Sequence, residues 1–130
     1  MLTRRDLLTA IGLAAASGLF LSMGNRLARA HHGWAWATDS VFEITGKITA
    51  VKLGNPHGEL ILDVNGESWE AEIGQPWRNE RAGLTDALLA VGTEVTVSGR
   101  RAKDPAQKLV KAEIVTIAGK AYNLYPDRRS

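Results

Sequence analysis

Hydrophobic and polar residues alternate along the chain from position 41, and this alternation predicts a series of β-strands. The first predicted strand runs over Val41–Leu53. Its core face is made of hydrophobic side chains at alternate positions: Phe42, Ile44, Ile48 and Ala50. Gly46, in the middle of this strand, indicates a bulge or a sharp coil of the kind that small barrels use to bend.

A hairpin follows a dense turn cluster at residues 54–58. Its strands, Glu59–Val64 and Ser68–Ile73, are separated by Asn65-Gly66, a strong signal for a two-residue turn. In the second strand the core face consists of Trp69, Ala71 and Ile73. Glu70 and Glu72 point to the opposite side, which this pattern predicts to be solvated.

The hydrophobic period then changes from strand to helix. Pro76 stands at a favourable first helical position, and Gly83 is a suitable C-terminal cap for a helix that ends at Ala82. A second short turn is predicted from Asp86 to Ala90. It presents three leucines of this region to the core: Leu84, Leu88 and Leu89.

Two more strands, Thr93–Ser98 and Leu109–Ala118, complete an order of three strands, a helix and two strands. This is the element order of the OB-fold. The predicted fold class is therefore all-β with one short helix: a five-stranded OB-fold-like barrel over residues 41–121, with the helix between strands 3 and 4. A partly open antiparallel sheet with one helix is the alternative. Residues 122–130 are predicted to form a C-terminal tail with a frayed, charged end.

The first thirty residues have the pattern of an export signal. Thr3-Arg4-Arg5-Asp6-Leu7-Leu8 resembles the twin-arginine export motif, an apolar stretch follows, and Ala28-x-Ala30 is a pattern that signal peptidase recognises. We expect a twin-arginine-type signal over residues 1–30, cleavage after Ala30 and release into the periplasm without a stable membrane anchor. Residues 31–40 then form an N-terminal segment ahead of the barrel. An uncleaved N-terminal anchor is the alternative.

Cleavage at this position changes the charge of the protein. It removes four arginines and one aspartate, which takes the formal net charge from +2 to about −1. Basic and acidic residues are interspersed in the remainder, which argues against nucleic acid as a partner and against a polybasic membrane patch. The chain has no cysteine, which excludes disulfides, thiolate metal ligands and cysteine nucleophiles.

The chain has three histidines, and all are candidate metal ligands: His31, His32 and His57. After cleavage His31 would chelate through its α-amine and imidazole. His57, in the turn between the first two strands, would add a further nitrogen, with His32 as an extra ligand. Ten extended residues span roughly 30 Å, so the terminal segment is long enough to reach this turn.

A nitrogen-rich set of ligands of this kind favours copper(II), with zinc as the second choice because it prefers four tetrahedral ligands. The alternative is that the terminal histidines are only solvated and that His57 caps its own turn.

These features favour a periplasmic metal-binding protein: a carrier, sequestering or accessory protein for copper. The alternative is a periplasmic OB-fold interaction module that holds a protein or small ligand without metal, with Trp34 and Trp36 as its contact surface. A copper-dependent redox enzyme would need an open coordination position and a substrate surface, and the pattern indicates neither. No known catalytic motif is present, and no catalytic residue is predicted.

Four motifs together resemble a family of small exported bacterial proteins of unknown function. They are His31-His32-Gly33-Trp34, residues 45–51 (TGKITAV), Asn55-Pro56-His57 and residues 91–99 (VGTEVTVSG). The resemblance covers essentially the whole chain after residue 30 and implies an exported OB-like domain with no established activity. Any family role of the histidines carries over to His31, His32 and His57. Gly58 departs from the pattern, because an aliphatic or aromatic residue is more usual after the Asn-Pro-His turn.

Overall fold

The computed structural model describes residues 34–128. The chain divides into two compact units, Met1–Trp36 and Ala37–Ser130. Of the first unit, the structure describes only residues 34–36, which form a turn. Within residues 34–128, no helix is long and apolar enough to cross a membrane. The predicted export signal and the candidate ligands His31 and His32 lie outside the described residues.

The second unit contains six strands, one α-helix and one 3₁₀ helix among its described residues. In chain order these are β1 (Phe42–Lys52), β2 (Glu59–Val64), β3 (Glu67–Glu72), α1 (Pro76–Arg81), the 3₁₀ helix (Asp86–Leu89), β4 (Glu94–Arg101), β5 (Leu109–Ile117) and β6 (Lys120–Asn123).

The strands close into a barrel. β1 pairs antiparallel with β4 through its first half and with β2 through its second half, so that it belongs to both sides of the barrel. β2 pairs with β3, and β4 pairs with β5. A parallel pairing of β3 with β5 closes the five strands, and β6 pairs with β5 beyond this closure. Five strands closed in this order, with α1 between β3 and β4, form an OB-fold-like barrel, which confirms the predicted fold class.

The bulge in β1 lies further along the strand than the sequence predicts. Gly46 is regularly paired with Val95, and the register shifts instead between Ile48 and Ala50. Gly46 is needed because a Cβ atom there would lie 2.4 Å from the main-chain oxygen of Asp63. The later bulge reverses the faces of the strand, so Ala50 is exposed, contrary to its predicted place in the core.

Branched aliphatic side chains fill the barrel. The largest side chains in its strands that are fully buried are Ile48, Leu60, Leu62, Val95, Val97, Val110 and Val115. Each such burial contributes about 1.5–3 kcal/mol to stability. Trp69 is buried as predicted, and its ring stacks on Phe42 with 5.2 Å between ring centroids.

The α1 and 3₁₀ helices have nearly the predicted bounds. Pro76 opens α1, and Gly83, just past its end, has a φ of +84°, a conformation that glycine adopts without strain. Leu84 and Leu89 are buried against the barrel. Trp77, in contrast, is half exposed.

The chain after β5 turns back into a short strand, β6. Tyr122 pairs with Val115 within the β5–β6 hairpin, and both Tyr122 and Leu124 are buried in the core. The main-chain amide of Leu124 donates to the carbonyl of Glu113. The predicted C-terminal tail, residues 122–130, thus begins within β6, and two apolar side chains of this segment complete the core.

Candidate functional site

His57 lies at the end of the β1–β2 loop, where the backbone is already fixed by pairing with the segment after β3. The Gly58 amide donates to the Gly74 carbonyl, and the Ile73 amide donates to the Gly58 carbonyl. A Cβ atom on residue 58 would lie 2.7 Å from a side-chain carbon of Ile73. Glycine therefore lets the loop approach Ile73 closely, which explains why no bulkier residue follows His57.

The two ring nitrogens of His57 have different surroundings. Nδ1 lies 3.3 Å from the Gly58 carbonyl oxygen, and Nε2 lies 3.5 Å from Oε1 of Glu72. Because a carbonyl oxygen only accepts hydrogen bonds, the contact with Gly58 requires the proton to be on Nδ1. The neutral imidazole then carries its lone pair on Nε2, beside the Glu72 carboxylate. About one fifth of the side chain (20%) is exposed, so a small ligand can reach it.

Glu72 is itself held by a buried cation. Its carboxylate forms an ion pair with the ammonium group of Lys111, and only 12% of the Glu72 side chain and 7% of the Lys111 side chain are exposed. The two residues are Cα partners in the parallel pairing of β3 and β5, so closure of the barrel brings them together. The local group His57–Glu72–Lys111 is neutral when the imidazole is unprotonated.

Glu72 and Lys111 are site residues that the sequence analysis missed. The alternating pattern of β3 predicted a solvated position for Glu72, and Lys111 alternates with Val110 and Ala112 in the same way. Both side chains are covered because β3 and β5 are neighbours in the closed barrel. The parallel closure expected of an OB-fold was the available signal, but the register that pairs these two residues is not written in either strand alone.

The other predicted site residues are distributed as follows. His31 and His32 lie outside the described residues. Trp34 and Trp36 lie in the turn of the first unit. Within the described part of the chain, no three histidine, aspartate or glutamate side chains form a cluster that could hold a metal ion.

A second buried charge cluster lies near the first, with Glu113 at its centre. Nε of Arg100 donates to Oε1 of Glu113 over 2.6 Å, and only 8% of each side chain is exposed. Nε of Arg128 approaches the same oxygen at 3.7 Å. All of the side-chain nitrogens in this cluster belong to arginines, which donate hydrogen bonds and do not ligate metals.

The sequence was compared with known protein families. Residues 19–110, more than half of the chain, match a family of unknown function, DUF6152. The chain belongs to the DUF6152 family. This membership confirms the resemblance to a family of unknown function, and the matched residues extend from before β1 into the beginning of β5. No curated protein sequence matches this member of DUF6152.

Two solved structures are similar to this DUF6152 protein. A ZRD-deleted mutant of TiaS in complex with agmatine has a TM-score of 0.50 and 19% identity, over 68% of this chain and 27% of the TiaS chain. The Stn1–Ten1 complex of S. pombe has a TM-score of 0.47 and 17% identity, over 62% of this chain and 59% of that chain. The DUF6152 chain thus spans only part of either protein, and the likeness to TiaS, at this low identity, indicates a shared fold alone.

Proposed function

We propose that this protein is a periplasmic metal-binding protein, a carrier, sequestering or accessory protein that binds copper through His31, His32 and His57. Zinc is the second candidate metal. The proposal places the protein in the periplasm through a twin-arginine signal that is cleaved after Ala30. The mass of the protein recovered from the periplasm tests this cleavage. A chain that begins at His31 is expected, and retention of Arg4 and Arg5 would contradict the export model.

The observation that carries the proposal is the state of the His57 ring. In the tautomer that the Gly58 contact requires, Nδ1 carries the proton and Nε2 carries the lone pair, on a ring that is one fifth exposed. Fixing one ring nitrogen by a hydrogen bond to a carbonyl oxygen is a common way to prepare the other nitrogen for a metal. A histidine that only capped its turn would not need an accessible Nε2.

The Glu72 carboxylate is the second feature that supports binding of a cation here. Two ligands of a tetrahedral metal lie roughly 3.3 Å apart, which is close to the 3.5 Å between Nε2 of His57 and Oε1 of Glu72. Lys111 competes for the same oxygen, because its ammonium group pairs with it in the metal-free protein. This competition favours a site in which nitrogen ligands dominate, as copper(II) prefers, over one that needs the carboxylate.

The strand face beside this site also argues against nucleic acid as the partner. Glu59 lies directly opposite Glu72 in the β2–β3 pairing, and Glu70 lies opposite Ile61. OB-folds that bind oligonucleotides use the face formed by these two strands. Carboxylates on this face would repel a phosphate backbone, whereas they would attract a metal cation.

The test compares two forms of the protein that differ only at the terminus. One begins at His31, and the other begins with methionine before His31, which keeps every imidazole but separates the α-amine from the His31 ring. If the terminus chelates, the first form should bind copper(II) much more tightly at the same pH. Binding should also release protons, because amine and imidazole ligands must be deprotonated. Equal affinities would eliminate the terminal chelate.

The alternative function is an interaction module without metal that uses Trp34 and Trp36. It predicts that neither copper nor zinc raises the melting temperature of either form. A metal-dependent rise in the melting temperature of the form that begins at His31 would reject this alternative, because a ligand stabilises a fold only when it binds the folded state.

A further inference from the structure

A groove of about 660 Å³ runs along α1 at the end of the barrel. Its lining includes Leu53, Pro76, Glu80, Leu84, Asp86 and Ala87. No lysine or arginine is among the lining residues, and within residues 34–128 the carboxylates of Glu80 and Asp86 form no ion pair. This acidic, partly apolar depression, which we call the α1 groove, is open to a partner that combines an apolar group with a positive charge.

The same helix carries a projection with the opposite properties. The Trp77 side chain is 50% exposed, and its indole Nε1 donates to Oε1 of Gln75 over 2.8 Å. The Arg81 guanidinium lies 5.3 Å from the centroid of the Trp77 ring and forms no ion pair within the described part of the chain. We call Trp77 and Arg81 the α1 knob.

The ring of Trp77 is also held in position by Arg78. The guanidinium of Arg78 lies 4.6 Å from the Trp77 ring centroid and 4.2 Å from that of Tyr125, and it donates to the Leu124 carbonyl. The C-terminal segment therefore braces the α1 knob. A braced, exposed aromatic ring loses little conformational freedom when a partner covers it, which favours binding.

We propose that the α1 groove and the α1 knob form the interface of a symmetric dimer, in which the knob of each copy enters the groove of the other. The two features lie on neighbouring faces of one helix, because Trp77 and Arg81 are four residues apart, as are Pro76 and Glu80. A two-fold axis beside α1 brings each face against the other face of the second copy.

Charge and composition support a second copy as the occupant. Arg81 supplies the positive charge that the carboxylates of Glu80 and Asp86 lack within one copy. Tryptophan and arginine are the residues most enriched at the energetic centres of interfaces. Of the four large hydrophobic side chains that are exposed in the described region, Leu53 and Trp77 lie on this surface.

Sedimentation velocity of the purified protein tests the dimer. The unmodified protein should sediment as a concentration-dependent dimer, and Trp77→Ala should weaken its association at least about tenfold. Val41→Ala is the control. Val41 is about as exposed (52%) as Trp77, but it lies at the opposite end of β1 from Leu53, which lines the α1 groove. A protein that remains monomeric, or a dimer that Trp77→Ala leaves unchanged, would overturn the proposal.

A charge exchange tests the pairing of knob and groove without removing the tryptophan. Arg81→Glu replaces the positive charge of the α1 knob by a negative one, and Glu80→Lys with Asp86→Lys replaces the two carboxylates of the α1 groove by ammonium groups. Each variant alone should associate at least about tenfold more weakly, while an equimolar mixture should form a heterodimer. Recovery in the mixture supports the proposal. Failure of the mixture to associate would overturn it, even if each variant alone is a folded monomer by circular dichroism and sedimentation.

Discussion

Two buried ion pairs include residues of β5 that are two positions apart, but a different type of residue extends each pair. Lys111 pairs with Glu72, and the group continues to the His57 imidazole, which is one fifth exposed. Glu113 pairs with Arg100, and that group continues to Arg128, a second arginine. The first cluster ends in a nitrogen that can accept a cation, whereas the second ends in a cation.

This difference decides which of the two clusters has an atom that could ligate a metal ion. Around Glu113 two arginine guanidinium groups face the carboxylate, and neither has a nitrogen lone pair to offer a metal. Around Glu72 the ammonium and carboxylate neutralise each other, and the lone pair of His57 remains. Both clusters bury a charged residue of β5. Of the two, only the cluster that contains His57 has a nitrogen lone pair that could ligate a metal ion.

The largest effect on stability is expected at the cluster around Glu113. Glu113→Ala should lower the free energy of unfolding by about 3–5 kcal/mol, because it leaves the buried Arg100 guanidinium without its carboxylate. Urea denaturation measures this loss. The double variant Arg100→Met with Glu113→Leu is the control and should recover most of the stability. Copper affinity should not change in any of these variants. A loss below about 1 kcal/mol for Glu113→Ala would mean that solvent reaches this pair.

At the cluster around Glu72 we expect a smaller loss of stability together with a gain in metal affinity. Lys111→Met should cost about 1–3 kcal/mol, because Glu72 loses its charged partner at a position that is more exposed (12%) than Arg100 or Glu113 (8% each). The freed carboxylate should then bind zinc more tightly, and the gain for zinc should exceed the gain for copper because carboxylate oxygen joins tetrahedral zinc sites readily. Isothermal titration with each metal measures both changes. Unchanged zinc affinity would show that Glu72 does not face the metal.

His57 itself should matter little to the metal-free fold. His57→Gln should change the free energy of unfolding by no more than about 1 kcal/mol without metal, because it removes one long hydrogen bond from a partly exposed loop. With copper at about a hundred times its Kd, the unmodified protein should gain about 2.7 kcal/mol, and the variant should gain less. Thermal unfolding with and without copper gives both values. A large loss in the metal-free state would indicate a structural role for His57.

The exposed ion pair between Lys108 and Glu67 shows how much an ion pair contributes to stability when it is not buried. Its Nζ–Oε2 distance is 3.2 Å, but about half of each side chain is exposed. Lys108→Ala should therefore change stability by at most about 0.5 kcal/mol, and added salt should reduce even that effect. Parallel urea titrations at low and high salt measure it. A loss as large as that of Lys111→Met would show that burial does not distinguish these pairs.

The fold could be predicted from the sequence because its main signals are local. Asn65-Gly66 marks the hairpin, Pro76 marks the start of α1, and the alternation around Trp69 gives the core face of β3 correctly. The face of Ala50 could not be predicted, because a bulge after Ile48 reverses the alternation without a local residue signal.

The candidate site could be predicted only in part, because its contacts are between distant strands. His57 was identified from its residue type and its turn. Glu72 and Lys111 were not, since a charged residue on an alternating strand has the same pattern whether water or another strand covers it. Tyr122 and Leu124 were not predicted as core residues, because the β5–β6 pairing and the closed barrel bury them and no local pattern marks them.

The central claim is that His57 ligates copper through Nε2, and electron paramagnetic resonance of the copper(II)-loaded protein tests it most directly. Spectra of the unmodified protein that begins at His31 and of its His57→Gln variant would be compared at the same pH and copper content. The account predicts that the variant loses one coupled imidazole nitrogen and that its hyperfine parameters shift. Identical spectra from the two proteins would contradict it.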